Sequence, residues 1–374
     1  MTPRLNRFLD STRLTTPVLV VDLERVENNY RALSQAFPRA RVFYAMKANP
    51  AREVLERLLA LGCRLDVASI QEVRAALAAG AGPGALSFGN PIKRVADIAE
   101  AWARGVRVYA VDSVDEVEKI AGAAPGAEVV CRIRVENTGA EWPLSSKFGC
   151  DPSEVDAVLL RAAALGLEPV GISFHVGSQQ TDPEQWGPAI VAAGRVFRRL
   201  GAAGVRLRLL NLGGGFPTAY RRPIPGLDAY SRVICQSLRG AFGDDLPDLI
   251  IEPGRSLVGD AGVIETEVLL VAARGEDRRR WVYLDVGKFG GLAETLGEAI
   301  QYPIVSARTG PRGAVVLAGP TCDSMDVLYE TTHYELPLDL RIGDRLRIGA
   351  TGAYTQSYSS VCFNGFEPLR TLFV

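Results

Sequence analysis

The sequence predicts an α/β protein: a TIM-like (β/α)8 barrel joined to a second, mostly β domain. Three observations carry this reading. Short apolar runs rich in β-formers alternate with Ala/Leu/Arg-rich helical stretches from about residue 40 to residue 255. Eight such runs occur there, the number a closed parallel barrel needs. Beyond Arg255 the texture changes to closely spaced strand-like runs broken by Gly, Pro and Asp, with few helical periods. An open doubly wound sheet is the structural alternative to the barrel.

Taken in order, Val18 to Val21 reads as a first strand after Pro17, and Asp22 caps a helical pattern through Val26, Tyr30, Leu33 and Phe37. The eight runs follow: Val42 to Met46, Arg64 to Ala68, Leu86 to Phe88, Val106 to Val111, Val129 to Ile133, Val170 to Phe174, Leu207 to Leu212 and Leu249 to Ile251. Helical stretches between them include Glu53 to Leu61, Gln71 to Ala79, Val95 to Ala103, Ser153 to Leu165 and Trp186 to Leu200. In the last third, Val263 to Ala272, Trp281 to Leu284, Ala314 to Leu317 and Leu346 to Ile348 are strand-like. The expected domains are residues 20–255 for the barrel and 256–374 for the β domain, with residues 1–19 available to join the latter.

Composition narrows the function. With 374 residues, 47% hydrophobic and 23% charged, a sizeable core can be buried. Forty-two basic against 43 acidic residues give no field for nucleic acid or an anionic membrane, so a small-molecule partner is expected. No run approaches the ~18 apolar residues of a membrane span, and the N-terminus shows no apolar signal core, which points to the cytoplasm. Six cysteines without a C-x-x-C pair read as reduced, mostly buried thiols, and only two histidines argue against a metal centre.

In a barrel, the residue leaving each strand faces the catalytic end. Those exits are Lys47, Asp66, Asn90, Asp112, Arg132 with Arg134, His175, Gly213 to Gly215, and Glu252 with Arg255. Lys47 ends a buried strand stopped by Ala48-Asn49-Pro50, and a partly desolvated lysine there can act as an amine nucleophile toward an aldehyde cofactor. Taken alone it is equally an ordinary surface lysine lifting its charge into water. Gly213-Gly-Gly215 can close backbone N–H groups on a phosphate, or form a plain turn. His175 offers a flat ring, and Glu252 a carboxylate able to hold a pyridine nitrogen protonated, with Arg255 to meet a phosphate or orient Glu252.

This ordered set, with Ala68-Ser69 and Glu72, Ser146-Lys147-Phe148-Gly149, Gly319-Pro320-Thr321-Cys322-Asp323, Gly352-Ala353-Tyr354-Thr355 and Phe363-Asn364-Gly365-Phe366, spans nearly the whole chain. It resembles the fold-type III pyridoxal-phosphate (PLP) decarboxylases of ornithine, lysine, arginine and diaminopimelate, and most closely the bacterial ornithine decarboxylases. The resemblance implies decarboxylation of a basic L-amino acid, L-ornithine to putrescine first and lysine second, a step of polyamine biosynthesis. It implies that Lys47 carries the cofactor, Glu252 pairs with its pyridine nitrogen and His175 stacks on its ring. Gly213, Gly214, Gly215, Ser178, Arg255 and Tyr354 would hold the phosphate, with Gly254, Asp66 and Arg132 also at the cofactor. It further implies a homodimer with shared active sites, Cys322 of the second copy protonating the substrate carbon and its Asp323 binding the distal amine, with Phe363 also at the substrate.

One departure concerns specificity. In Lys288 to Tyr302 the family's usual distal-amine aspartate aligns with Gly297, leaving Glu298 or Glu294 to replace it. Two alternatives are a diaminopimelate decarboxylase, whose usual Cys-Glu-Ser is Cys322-Asp-Ser here, and a catalytically silent PLP-fold binding protein, against which Lys47 and Cys322 both stand.

Overall fold

Each of the eight apolar runs forms a strand because a parallel strand covered on both faces must be apolar on both, which favours continuous Val, Ile and Leu over alternation. A computed structural model describes residues 1–136, 138–142 and 147–374. The chain divides into two compact units, one of residues 29–217 and 224–254, the other of residues 1–28, 218–223 and 255–374.

After β1 (Val18–Val21), which belongs to the second unit, the first unit runs through β2 (Ala40–Ala45), β3 (Arg64–Val67), β4 (Leu86–Phe88), β5 (Val108–Val111) and β6 (Glu128–Arg132). A short β7 (Ala140–Trp142) precedes β8 (Glu168–Ser173), and β9 (Ser178–Gln180) precedes β10 (Leu209–Asn211) and β11 (Asp248–Ile251). The order β10-β11-β2-β3-β4-β5-β6-β8 closes on itself as a parallel barrel, while β7 and β9 pair outside it. The open-sheet alternative is therefore excluded.

Inward residues stack in layers. Phe43, Val130, Val170, Leu209 and Ile250 form one buried apolar cluster. Because side chains alternate with period two, the next inward positions on four of those strands are Ala45, Arg132, Asn211 and Glu252. An apolar floor thus lies one layer beneath a polar mouth. Lys47 comes after β2 proper, on the single 3-10 turn Met46–Ala48.

The second unit is a β structure with strands in the order β14 (Ile304–Ser306), β17 (Arg345–Gly349), β12 (Gly262–Arg274), β13 (Arg279–Leu284), β15 (Arg312–Ala318) and β16 (Val327–Pro337). β1 pairs antiparallel with β12 and parallel with β18 (Arg370–Phe373). The N-terminal helix Pro3–Ser11, absent from the sequence reading, buries Leu5 and Leu9 against Val18, Val20 and Val263. Asp22 accepts from the N–H groups of Glu24 and Arg25, as its capping role requires.

Candidate active site

In the barrel unit, Lys47, Asp66, Arg132, His175 and Glu252 converge. Nζ of Lys47, on a side chain 47% exposed, lies 3.4 Å from Oδ2 of Asp66, which is 5% exposed. Oδ1 of Asp66 is buried beside Gly89, whose N–H donates to Val67 O at 2.9 Å. A Cβ on Gly89 would stand 2.0 Å from Asp66 Oδ1, so only glycine lets the carboxylate sit there. Burial raises the Asp66 carboxyl, opposed by the charges of Lys47 and Arg132.

Burial also pushes Glu252 up to about 7, with the charge of Asp66 adding, while a hydrogen bond from Asn211 and the charges of Lys47 and Arg132 pull it back. His175 falls well below its ordinary range through burial and the nearby Arg132 and Lys47, so its ring is neutral; Nδ1 accepts from Gly177 N–H at 3.1 Å. Arg132 is itself lowered by burial.

The three glycines are dictated by crowding. A Cβ on Gly213 would meet Phe174 O at 2.1 Å, on Gly214 Glu252 O at 2.5 Å, and on Gly215 Gly177 O at 2.6 Å. Gly213 and Gly215 also have φ of +67° and +101°, which side-chain-bearing residues rarely adopt. Gly215 O accepts from Gln180 N at 2.9 Å, tying the turn to β9, which Ser178 begins. Gly254 is less tightly enclosed, a Cβ there lying 3.1 Å from that of Ala48.

These features fit PLP: a reachable amine, a flat neutral ring, a bare backbone turn for a phosphate and a half-buried carboxyl for a pyridine nitrogen. Other strand exits serve the scaffold. Asn90 Nδ2 donates to Ala68 O at 3.2 Å, Asp112 accepts from Gly149 N–H at 2.8 Å, and Arg134 reaches Asp151 at 3.6 Å. Ser69 caps the helix Ile70–Ala78 at Glu72 N–H, and Glu72 closes back on Ala68 N–H at 2.6 Å. Of the Ser146 to Gly149 motif, Ser146 lies outside the described residues.

In the β-rich unit, Arg255 is buried and paired with Glu294 through Nη1–Oε2 at 2.6 Å and Nη2–Oε1 at 2.5 Å. Its Nη1 also donates to Tyr220 OH at 2.6 Å, and its guanidinium lies 4.8 Å from the Tyr354 ring centre. Cys322 and Asp323 are exposed on a turn organised by buried Asp326, which accepts from Lys288 N at 2.7 Å and from Thr321 N and Oγ1 at 3.1 and 2.8 Å. Asn364 Oδ1 accepts from Cys322 N at 2.9 Å, and Phe363 packs on Phe289 at 4.5 Å. A cavity of about 330 Å3 in this unit is lined by Phe289, Thr321 and Phe363 among others.

The expectation that Glu298 or Glu294 serves a substrate amine needs correction. Glu298 accepts from the N–H groups of Glu330, Thr331 and Thr332 and from Thr331 Oγ1, and Glu294 is taken by Arg255. Neither presents an open carboxylate. The expectation of mostly buried thiols holds for Cys63, Cys131 and Cys150, whereas Cys235, Cys322 and Cys362 are exposed. Cys235 rides the outside of the helix Leu227–Phe242, and the other two sit on turns. Sequence reasoning also missed Asn211 and Asp326, and did not see Arg255 as the partner of Glu294. Asn211 was hidden inside an apolar run, although its two-residue spacing from Leu209 marks it as inward-facing.

Residues 23–259 match the model of the pyridoxal-dependent decarboxylases, specifically their pyridoxal-binding domain. The chain belongs to this family. A lysine/ornithine decarboxylase from Selenomonas ruminantium is 36% identical over 362 residues, 96% of this chain and 90% of that protein. Among solved structures, lysine decarboxylase from Selenomonas ruminantium superposes with a TM-score of 0.90 at 34% identity, over 100% of this chain and 96% of that one. Lysine/ornithine decarboxylase from Vibrio vulnificus, complexed with putrescine, gives 0.90 at 30% identity, over 100% and 99%. The protein is therefore a PLP-dependent amino-acid decarboxylase with the barrel-plus-β architecture of its relatives. Among the described residues no helix is long and apolar enough to cross a membrane, and no group of three metal-ligating side chains occurs.

Proposed function

We propose that this decarboxylase acts on basic L-amino acids, converting L-ornithine to putrescine and also accepting L-lysine, in cytoplasmic polyamine biosynthesis. The observation that carries the reading is one barrel mouth holding a reachable amine on Lys47 and a half-buried carboxyl on Glu252. The names of relatives similar over nearly the whole chain support the substrate class. Reduced thiols at all six cysteines support the compartment.

Bound PLP supplies an electron sink joined to the substrate's α-amine. Lys47 would hold it covalently and yield its place to that amine. Glu252 would keep the pyridine nitrogen protonated, neutral His175 would present its flat face to the ring, and the N–H groups of Gly213 to Gly215 would receive the phosphate. Asp66 would keep a negative charge beside the Lys47 ammonium. Ser178, Arg255 and Tyr354 are assigned to the phosphate by the family resemblance, as are Gly254 and Arg132 to the cofactor's vicinity. Cys322 would give its Sγ proton to Cα after CO2 departs.

Glu294 and Glu298 being engaged, Asp323 is the carboxylate we assign to the substrate's distal amine, with Phe363 beside it. The exposure of Cys322 and Asp323 supports the homodimer with shared sites, since a second copy would receive them. Purified enzyme loaded with PLP tests the reading through CO2 release from ornithine, lysine, arginine and meso-diaminopimelate. Ornithine and lysine are expected to lead; release from diaminopimelate alone overturns the assignment.

A further inference from the structure

Asn211 ends β10 one layer above the apolar floor, 6% exposed, in register with Ile250 on one neighbour and Ser173 on the other. Its amide has two fixed partners. Gly213 N–H, which can only donate, lies 2.9 Å from one terminal atom, so that atom is the oxygen, Oδ1. The remaining atom, Nδ2, therefore points its N–H at Oε1 of Glu252, 2.5 Å away. The turn that opens the glycine run thus decides which way the amide faces. That choice delivers a donor, rather than an acceptor, to a half-buried carboxylate.

We infer that Asn211 is a positioning residue for the reaction: its Nδ2–H holds Glu252 in the place and the ionised state from which it can pair with a pyridine nitrogen. This rests on the role proposed for Glu252. Two consequences follow from the geometry. An aspartate at 211 keeps the acceptor for Gly213 N–H but turns an oxygen toward Oε1, so the two carboxyls must share a proton. A leucine removes both hydrogen bonds and leaves Glu252 facing an apolar wall.

The test uses the full chain with [δ-13C]glutamate, the Glu252 signal being assigned by its loss in Glu252→Gln. In cofactor-stripped protein, the Glu252 titration midpoint is expected to rise by at least one pH unit in Asn211→Asp and to rise also in Asn211→Leu. In the PLP enzyme, Asn211→Asp is expected to lose at least tenfold in kcat near pH 7, with a smaller change in KM and a pH–rate profile displaced upward. If the Asn211→Asp midpoint stays at the wild-type position, Asn211 serves only the glycine turn and the inference is wrong. Should Asn211→Leu fail to fold, Asn211→Asp still decides. Near-normal turnover in Glu252→Gln, by contrast, would remove the proposed role of Glu252 while leaving the titration result intact, so the two failures are distinguishable.

Discussion

Nζ of Lys47 stands 3.4 Å from Oδ2 of Asp66 on a side chain that is 47% exposed, and that exposure distinguishes Lys47 from Lys93, which is enclosed in the barrel unit. Lys93 is fully buried, and its ammonium is spent on Asn90 O at 2.8 Å, Ala110 O at 2.7 Å and Glu116 at 3.0 Å. Burial lowers Lys93 to about 8, so basicity alone would make it a rival nucleophile; inaccessibility does not. Borohydride reduction of the PLP enzyme followed by peptide mapping is expected to place the pyridoxyl group on Lys47. Label on Lys93 would sink the assignment.

Glu252→Gln keeps the acceptor for Asn211 but cannot carry charge, and its turnover is expected to fall by ~10²-fold or more with smaller loss of PLP affinity. The same variant changes the pH dependence of stability. Folding raises Glu252 from its ordinary 4.5 to about 7, so over that window the folded state holds a proton the unfolded state has released. Its contribution is therefore lost as pH rises from about 4.5 through 7, by roughly 3 kcal/mol in all. Thermal unfolding of cofactor-stripped protein between pH 5 and 8 should show a flatter decline for Glu252→Gln than for wild type.

Glu294→Gln leaves the buried guanidinium of Arg255 without its bidentate counter-charge. Breaking such a pair by removing one partner costs about 3–5 kcal/mol. A clear drop in melting temperature is expected, with Glu298→Gln as a comparison at a less buried site.

Glu298→Gln is expected to leave KM for ornithine and lysine within about twofold of wild type, since Glu298 already serves the backbone of β16. A tenfold rise in KM without loss of folding would return Glu298 to the substrate.

Lys47→Ala and Cys322→Ala test the shared site together. Each alone should turn over substrate poorly. If the copies pair and share sites as proposed, subunit exchange at equal amounts makes half the dimers mixed, each with one intact site, and activity should return to about a quarter of wild type. Mixed dimers proven by tag pull-down, with activity still at the single-mutant level, would confine Cys322 to its own chain.

The barrel was legible because its strands are covered on both faces: Val42 to Met46 and Leu249 to Ile251 are apolar without interruption. β16 was not, since Glu330, Thr331, Thr332, His333 and Glu335 give it a polar texture although it pairs with β15 over its length. Three-residue β7 (Ala-Glu-Trp) and β9 (Ser-Gln-Gln) carry no apolar run, unlike the equally short β4. In the site, Lys47, Glu252 and the glycines were readable as strand exits, each following an apolar run. Glu294 was not assignable, because what it does depends on Arg255, 39 residues earlier, and pairing at that distance leaves no periodic trace.

The layering of the barrel also sets rules for insertion and deletion. Floor and mouth are separated by one side-chain repeat, about 7 Å along a strand. Adding a single residue between Ile250 and Glu252 would turn the carboxyl outward toward the helices and bring an aliphatic side chain into the mouth. Lengthening the connection between β6 and β8 beyond Cys150 disturbs no such alternation. Length variation in descendants of this chain should therefore collect in its connections, while the strands drift by substitution alone.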